Sequence, residues 1–306
     1  MSRKSNLRHE LIQCLRAQDR RGESKFDAKQ EAKAAGGKYE QVTGIYSTST
    51  FNTYSRSVAD FAEYVVERDR YCRSAEDAQQ YIDDYHAHLV DKGYSAWTVR
   101  TRVMGVLRAY GLRARDLARP LPARRTADIT RTDRGKEYTY KSSERRSHAE
   151  RIRRFVQATG CRKGELMRLR PEDIRKGSDG YYEVYRRGKG GIKGWRPTVK
   201  ALQDAIDDML SYKNQNPASM SMDKNNGEKR LFSRAEYDRI NVHAYRGDYA
   251  KALYAEYCSE GRGSGVMYYC RGARRGEVYD RGVLSLVSEA LAHHRVDVVV
   301  AHYLIW

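Results

Sequence analysis

Two groups of polar side chains near the C-terminal end of the chain could act together on a phosphodiester. His243-Ala-Tyr-Arg246 places a histidine and an arginine three residues apart, so a helix would present both to one phosphate. Further along, His293 precedes Tyr303. A tyrosine hydroxyl has a reference pKa of about 10, so it attacks at neutral pH only beside a base and in a positive field. Forked arginine donors supply that field and bind phosphate oxygens.

A string from Thr159 to Ile174 begins Thr-Gly-Cys-Arg and continues with Glu165 and Leu166. It resembles the first motif of the tyrosine recombinase (phage integrase) family of site-specific DNA recombinases. In that motif a helix ends at glycine, an arginine follows two residues later, and a glutamate and a leucine come next. The resemblance implies that Arg162 is the first catalytic arginine and that Glu165 supports the site. Taken alone, the string also fits a helix cap followed by a surface cation.

Two further motifs follow in the order of the family. The hairpin Gly188-Lys-Gly-Gly-Ile-Lys193 resembles the β-turn that carries the catalytic lysine. Lys189 matches best and Lys193 is the runner-up, although a Gly/Lys turn is common in any basic hairpin. His243-Ala-Tyr-Arg246 resembles the opening of the second conserved box, which implies that Arg246 is the second catalytic arginine.

The last motif runs from Val287 through Leu-Ala-His293-His to Tyr303. It resembles the final box of the family, in which a histidine after Leu-Gly precedes the nucleophilic tyrosine. Ala292 stands where the family has glycine, and the second histidine, His294, leaves the choice open. We prefer His293 because it directly follows the Leu-small pair. Since the motifs occur in the family order in one basic chain, the resemblance implies that Tyr303 is the nucleophile.

The family resemblance also implies how the side chains divide the reaction. The two arginines bind the nonbridging oxygens bidentately, His243 is the candidate base, and Lys189 protonates the departing 5′ oxygen. His293 would hold a phosphate oxygen or position Tyr303. Each linkage broken becomes a phosphotyrosine of similar energy, so we expect no ATP, no metal and no other cofactor. The sequence has no P-loop and no convincing metal-ligand cluster.

The charge of the chain points to the same partner. Lys and Arg number 58 against 40 Asp and Glu, a formal net charge of +18, which favours a polyanion such as double-stranded DNA. Five scattered cysteines without a C-x-x-C pair suggest neither a disulfide framework nor a zinc site. No apolar run is long enough to cross a bilayer, so we expect no membrane association and a cytoplasmic, nucleoid-associated protein. Candidate DNA contacts, besides Lys193, are Arg124, Arg125, Arg131 and Arg271.

Periodicity predicts a mainly α protein with a small β-sheet. We expect a basic arm over 1–44, with a short helix near Leu7 to Leu15, and a helical domain over 45–118. Its helices should begin after Ser47, Ser74 and Ser95. A basic linker would follow over 119–136, and the second domain would span 137–306. The resemblance implies that the first is a core-binding (SAM-like) domain and the second a mixed α/β catalytic domain.

Within the second domain, helical periodicity should stop at Gly160, and strands are expected at 181–186 and 195–199. The polar stretch 213–229 has the composition of an ordinary loop. The segment between Arg246 and His293 exceeds the commonest family spacing, so it is either a DNA-facing insertion or a plain loop.

The expected function is site-specific recombination or integration of DNA, for a mobile element, through a 3′-phosphotyrosyl intermediate. One alternative is a type IB topoisomerase, which uses the same side chains to relax supercoils. A second is a noncatalytic DNA-binding protein with this fold. Because only Leu304, Ile305 and Trp306 follow Tyr303, we expect a monomer in solution that forms a homo-tetramer on DNA. Its contacts would come from the N-terminal domain and the 259–282 insertion.

Overall fold

The structure is a computed structural model that describes residues 6–36, 42, 44–125, 128, 142–188, 193–223, 226–237 and 240–304. The chain divides into two compact units, Met1–Thr130 (unit 1) and Arg131–Trp306 (unit 2). The α-helices of the described residues are α1 Leu7–Arg16, α2 Lys25–Ala34, α3 Thr48–Arg68, α4 Ala75–Ala78, α5 Ile82–Asp91, α6 Ala96–Ala109, α7 Ser143–Thr159, α8 Lys163–Leu166, α9 Gln203–Gln215, α10 Arg234–Tyr237, α11 Val242–Ser259, α12 Arg281–Ala290 and α13 Val296–His302. The strands are β1 Ile174–Lys176, β2 Tyr182–Arg187, β3 Lys193–Pro197, β4 Ser221–Met222, β5 Lys229–Arg230, β6 Met267–Tyr269 and β7 Val278–Asp280.

Unit 1 is a helical domain, and three of its helices begin directly after the serines predicted as caps. Ser47, Ser74 and Ser95 each accept a hydrogen bond from the backbone N–H three residues later, at the start of α3, α4 and α6. The apolar faces meet in one core, where the Phe61 and Tyr85 rings pack edge to face with centroids 5.3 Å apart. The predicted starts of these three helices are therefore confirmed.

The helix predicted after Ser74 is broken. A 3-10 turn at Gln79–Tyr81 separates α4 from α5. The inward face continues across the break, because Ala78 and Ile82 on either side of it are both buried. Periodicity shows that face but does not distinguish an α turn from a tighter 3-10 turn.

Residues 7–16 do not form part of a separate arm. Leu7, Leu11 and Leu15 of α1 are buried in the core of unit 1. Glu10 of the same helix accepts a hydrogen bond from the backbone N–H of Ala75 at 2.8 Å, which ties α1 to the start of α4. The stripe of leucines therefore packs as a further helix of the domain, and this part of the predicted arm over 1–44 is wrong.

Unit 2 combines helices with small antiparallel sheets. β1, β2 and β3 form a three-stranded sheet in that order, with Val184 of β2 opposite Ile174 and Arg196. β2 and β3 correspond to the two predicted strands, whereas β1 was not predicted. A first core joins α7, α8, β2 and α9 around Ile152, Phe155 and neighbouring apolar side chains.

A second core of unit 2 contains the C-terminal helices. α11, α12 and α13 pack together around residues such as Leu253, Leu284 and Val299. Between α11 and α12 the chain forms an antiparallel ribbon of β6 and β7. The stretch 213–229 is not a plain loop, because β4 and β5 pair within it. Among the helices of the described ranges, none combines the length and the apolar character that a bilayer crossing requires.

Candidate active site

Arg162 lies at the junction of α7 and α8, where the chain turns sharply. Gly160 ends α7 in the left-handed conformation, with φ +62°, and a Cβ there would lie 2.3 Å from Tyr249 Cδ1. Arg162 is the N-cap of α8, and its backbone N–H donates to Glu165 Oε2 at 2.8 Å. The predicted end of the helix at Gly160 is confirmed, and this turn fixes the position of the arginine.

Glu165 is 5% exposed and faces three guanidinium groups. Arg162 Nη1 donates to its Oε1 at 2.8 Å, and the Nη1 atoms of Arg186 and Arg246 each lie 3.9 Å from its Oε2. Burial raises the pKa of the carboxyl, but the charges of Arg186 and Arg246, together with the backbone hydrogen bond and charge of Arg162, bring the pKa below its ordinary value. Glu165 is therefore a carboxylate that neutralises part of a buried positive cluster.

Arg246 is fully buried in α11, and backbone carbonyl groups hold it there. Its two terminal nitrogens donate to the oxygens of Gly160 and Leu291. The same two oxygens also accept hydrogen bonds from Arg186 Nη1, at 2.9 Å, and from Arg162 Nη2, at 3.1 Å. The sequence suggested that both terminal nitrogens of Arg246 are available to bind a phosphate. In the structure both of them instead donate to main-chain oxygens.

Burial lowers the pKa of Arg246 to about 10, and the charges of Arg186 and Arg162 add to this effect. The side chain nevertheless stays charged at neutral pH. Its guanidinium carbon lies 5.6 Å from the centroid of the Tyr303 ring. Arg246 thus supplies positive charge next to the ring of Tyr303, from a fully buried position.

Arg186 is a member of this cluster that the sequence analysis missed. It lies on β2 with 4% exposure and donates from Nη2 to the Ala290 oxygen. Strand alternation places it on the same face as Val184, which is buried, so the period of two could have identified it. Within the described part of the chain, the buried Nε–H groups of Arg186 and Arg246 have no hydrogen-bond acceptor.

His293 joins the arginine cluster to the tyrosine. Its Nε2 lies 3.1 Å from Arg162 Nη2 and 2.9 Å from Tyr303 Oη. Burial lowers the pKa of His293 to about 4, with further lowering by the charges of Arg162 and Arg246. The imidazole is therefore neutral at pH 7. Tyr303 itself is 5% exposed and lies directly after the last residue of α13.

The turn that delivers His293 has an unusual backbone. Ala292 has φ +53° and His294 has φ +54°, a left-handed conformation that favours glycine. Ala292 is the residue that stands where the related motif has glycine, so the backbone retains the glycine-like conformation. The backbone N–H of His293 donates to Ser288 at 2.9 Å, which closes the end of α12.

His243 lies on the outer side of the tyrosine. It is an exposed residue at the start of α11, and its ring packs edge-on to Tyr303 with centroids 5.8 Å apart. His243 and Arg246 are thus brought together on one side of α11, as their spacing predicts. The structure brings five of the six predicted catalytic positions into one cluster.

The sixth predicted catalytic residue, Lys189, lies outside the described residues, as does Arg131. Lys193 is exposed at the start of β3, opposite Arg187. The other three candidate DNA contacts are all exposed: Arg124, Arg125 and Arg271. Across the described ranges, no group of three or more His, Cys, Asp or Glu side chains is arranged to hold a metal ion.

Comparison with known proteins identifies the fold. No family model matches the sequence, and no curated protein matches it. Among solved structures, the chain is similar to the XerH site-specific recombinase bound to palindromic difH substrate in a post-cleavage complex. The TM-score is 0.56 at 14% identity, over 100% of this chain and 95% of that one. It is also similar to XerH in a pre-cleavage complex with difH, with a TM-score of 0.50 at 16% identity over 99% and 95% of the two chains.

This chain therefore has the fold of the tyrosine recombinases. The predicted fold class, with an N-terminal helical domain and a mixed α/β second domain, is confirmed. The family resemblance inferred from the motifs is thus borne out for the fold, by structures that share little sequence with the chain.

Proposed function

We propose that this chain is a site-specific DNA recombinase that cleaves and rejoins double-stranded DNA through a 3′-phosphotyrosyl bond at Tyr303. The observation that carries the proposal is the row of contacts from Arg162 to His293 to Tyr303, at 3.1 and 2.9 Å. A tyrosine hydroxyl, a neutral imidazole and a guanidinium in mutual contact support a site that acts on one phosphate. A net charge of +18 supports DNA as the partner.

Arg162 is the arginine best placed to contact the scissile phosphate. Its side chain is 26% exposed, whereas the side chain of Arg246 is fully buried. A guanidinium has five N–H donors, so Arg162 can bind an anion while it keeps its bond to Glu165. Arg246 and Arg186, both buried, act on the reaction through their charge, which stabilises the phosphorane oxygens and the tyrosinate.

His293 is the group best placed to accept the proton of Tyr303. Arginine only donates, so the His293 Nε2 that faces Arg162 is an acceptor, and the Tyr303 hydroxyl donates to the same nitrogen. A bound phosphate would draw Arg162 away from this nitrogen and offset its charge. The pKa of His293 would then rise from its low value, and substrate itself would make the imidazole a competent base.

Cleavage of the DNA strand is a single displacement at phosphorus. The Tyr303 oxygen bonds to phosphorus as the bond from phosphorus to the 5′ oxygen breaks, and the tyrosine proton passes to a histidine. Lys189 is proposed to protonate the departing 5′ oxygen. His243 is the second candidate base, because its ring packs against the outer side of Tyr303. Attack by a free 5′ hydroxyl reverses the sequence and rejoins the strand.

A nicked suicide substrate tests the proposal. A duplex from the DNA that flanks the gene loses a short fragment after cleavage, so the covalent adduct accumulates and is seen on a denaturing gel. Tyr303→Phe should bind this DNA with unchanged affinity and form no adduct. Tyr245→Phe, on α11 of the same unit, is the matched control and should form adduct normally. An adduct with Tyr303→Phe would place the nucleophile elsewhere.

The same substrate separates the two histidines. Each is replaced by glutamine, and the single-turnover cleavage rate is followed against pH. The variant that lacks the base should lose the pH dependence of the rate, as well as about 100-fold or more of its magnitude. Loss of that dependence in His243→Gln rather than His293→Gln would assign the base to α11.

Two alternative functions predict different results in these assays. A type IB topoisomerase would relax supercoiled plasmid without any preferred site, and a noncatalytic DNA-binding protein would give no covalent adduct. The five clustered catalytic positions favour an enzyme.

We further propose a recombinase of a mobile element, located in the cytoplasm at the nucleoid, that is a monomer in solution and a homo-tetramer on DNA. Light scattering with and without the flanking DNA tests the assembly.

A further inference from the structure

The ribbon of β6 and β7 contacts the segment that carries Tyr303. A 3-10 turn at Gly272–Arg274 connects its strands, and Arg274 is the last residue of this turn. Arg274 Nη1 donates to the backbone oxygen of Val300, and its Nη2 donates to that of Leu304 at 2.8 Å. One guanidinium therefore binds the main chain on both sides of Tyr303.

Two ribbon side chains hold Arg274 in this orientation. Arg274 Nε donates to Glu277 Oε1 at 2.8 Å, and Nη2 donates to the other oxygen of the same carboxylate. The Tyr279 hydroxyl lies 2.7 Å from Arg274 Nη2 and donates to Glu277 at 2.8 Å. The hydrogen bond from Arg274, and next that from Tyr279, lower the pKa of Glu277 to about 2, so the carboxylate stays ionised at every working pH. Glu277 and Tyr279 thus hold the guanidinium of Arg274 in the orientation in which it donates to the backbone oxygens of Val300 and Leu304.

The end of α13 requires such a partner. α13 has seven residues. The last carbonyl groups of a helix have no N–H donor within the helix, so they need donors from elsewhere. The N–H groups of Tyr303 and Leu304 both donate to the Val299 oxygen, at 2.9 and 3.1 Å, so the Val300 oxygen does not accept from Leu304. Arg274 donates hydrogen bonds to the oxygens of Val300 and Leu304. Its positive charge at the C-terminus of the helix is also favourable.

We propose that Arg274 is a positioning residue that fixes the backbone of Tyr303, so that the hydroxyl lies in line with the phosphate held by Arg162. The ribbon is then part of the cleavage machinery and not a plain insertion. The inference rests on the proposed function, because it assigns a purpose to holding Tyr303. Displacing a reacting group by about 1 Å can cost about 100-fold in rate, so loss of this anchor should be visible in the chemical step.

The test measures cleavage and binding separately on the full chain. Single-turnover cleavage of the suicide substrate at saturating DNA should fall about 10- to 100-fold in Arg274→Ala, with the dissociation constant for DNA within about 2-fold. Arg274→Lys retains the charge but cannot span both carbonyl groups and Glu277, so it should recover only part of the rate. Arg295→Ala is the matched control, because Arg295 pairs with Asp297 at the opposite end of α13. It should cleave at the wild-type rate.

Three results would overturn the inference. They are an Arg274→Ala rate equal to that of Arg295→Ala, a rate loss that merely follows the unfolded fraction seen by circular dichroism, or faster cleavage in Arg274→Ala. If Arg274→Ala does not fold, Arg274→Lys carries the test, and wild-type cleavage by it would also overturn the inference. Tyr303→Phe is run in parallel. Adduct formation by Tyr303→Phe refutes the proposed function, whereas normal cleavage by Arg274→Ala beside an inactive Tyr303→Phe refutes the positioning role alone.

Discussion

Replacing Glu165 by glutamine should destabilise unit 2 far more than an ordinary loss of one surface charge. The carboxylate is 5% exposed and lies among the guanidinium groups of Arg162, Arg186 and Arg246. Glutamine keeps the volume and one oxygen that can accept from Arg162. It removes the negative charge and leaves three neighbouring cations without compensation.

The distances set the magnitude. At an effective dielectric constant of about 20, each ion pair at 3.9 Å has a gross Coulomb energy of about 4 kcal/mol. Part of this is offset, because the substitution also removes the desolvation cost of the carboxylate. Removing one partner of a buried pair typically costs about 3 to 5 kcal/mol, and we expect the free energy of unfolding to fall by that amount.

Urea denaturation measures the change if the signal comes from unit 2 alone. The fluorescence of Trp195, on β3, provides this signal in a variant in which Trp97 and Trp306 are replaced by phenylalanine. With a slope of about 2 kcal/mol per molar urea, the midpoint should fall by about 2 M. Glu172→Gln is the matched control, because Glu172 pairs with Arg170 at 3.7 Å and its side chain is 65% exposed. Equal midpoints for the two variants would refute the account of a buried, charge-compensated cluster.

Three more outcomes follow from the backbone and the titration of the site. Gly160→Ala should lose about 2 to 4 kcal/mol, because the new Cβ meets a buried tyrosine ring of α11 as well as an unfavourable φ. Gly180→Ala has open space around a similar φ of +82° and should lose only about 1 kcal/mol in the same urea assay. Ala292→Gly relieves a left-handed alanine at φ +53° and should gain about 1 kcal/mol, so a lower midpoint would contradict the strain. Carbon-detected NMR of labelled histidine should find His293 neutral down to about pH 4 without DNA, and Arg162→Ala should raise that midpoint, whereas a wild-type midpoint near 6.5 would contradict the assignment. Since the pKa of His293 in the folded protein lies below its ordinary value of 6.5, its contribution to stability is lost as the pH falls from 6.5 towards 4.

Local patterns predicted the parts of the site that depend on neighbouring residues in the chain. The glycine stop at Gly160 fixes where Arg162 emerges, and helical spacing predicted that His243 and Arg246 share one side of α11. The proximity of His293 to Tyr303 came from the resemblance to the final box of the family. Each of these features is set within one turn or one short helix.

Features that depend on tertiary packing were not predicted. Arg186 is a charged residue whose type suggests a solvated face; strand alternation indicates its buried side, but its partner Glu165 comes from a distant part of the chain. The leucine stripe of α1 predicted a helix without showing where it would pack. The ribbon was indistinguishable from a loop in composition, and the contact between Arg274 and the end of α13 joins residues that no sequence spacing relates.

The terminal nitrogens of the three arginines donate largely to main-chain oxygens, at residues 160, 290 and 291. Every amino acid carries that oxygen, so the side chains at 290 and 291 can change without loss of these bonds, provided that the new residues fit the apolar space beside α12. At these two positions the hydrogen bonds depend on the course of the backbone and not on the identity of the residue. Such substitutions can therefore change the sequence around the cluster while the three guanidinium groups keep their positions.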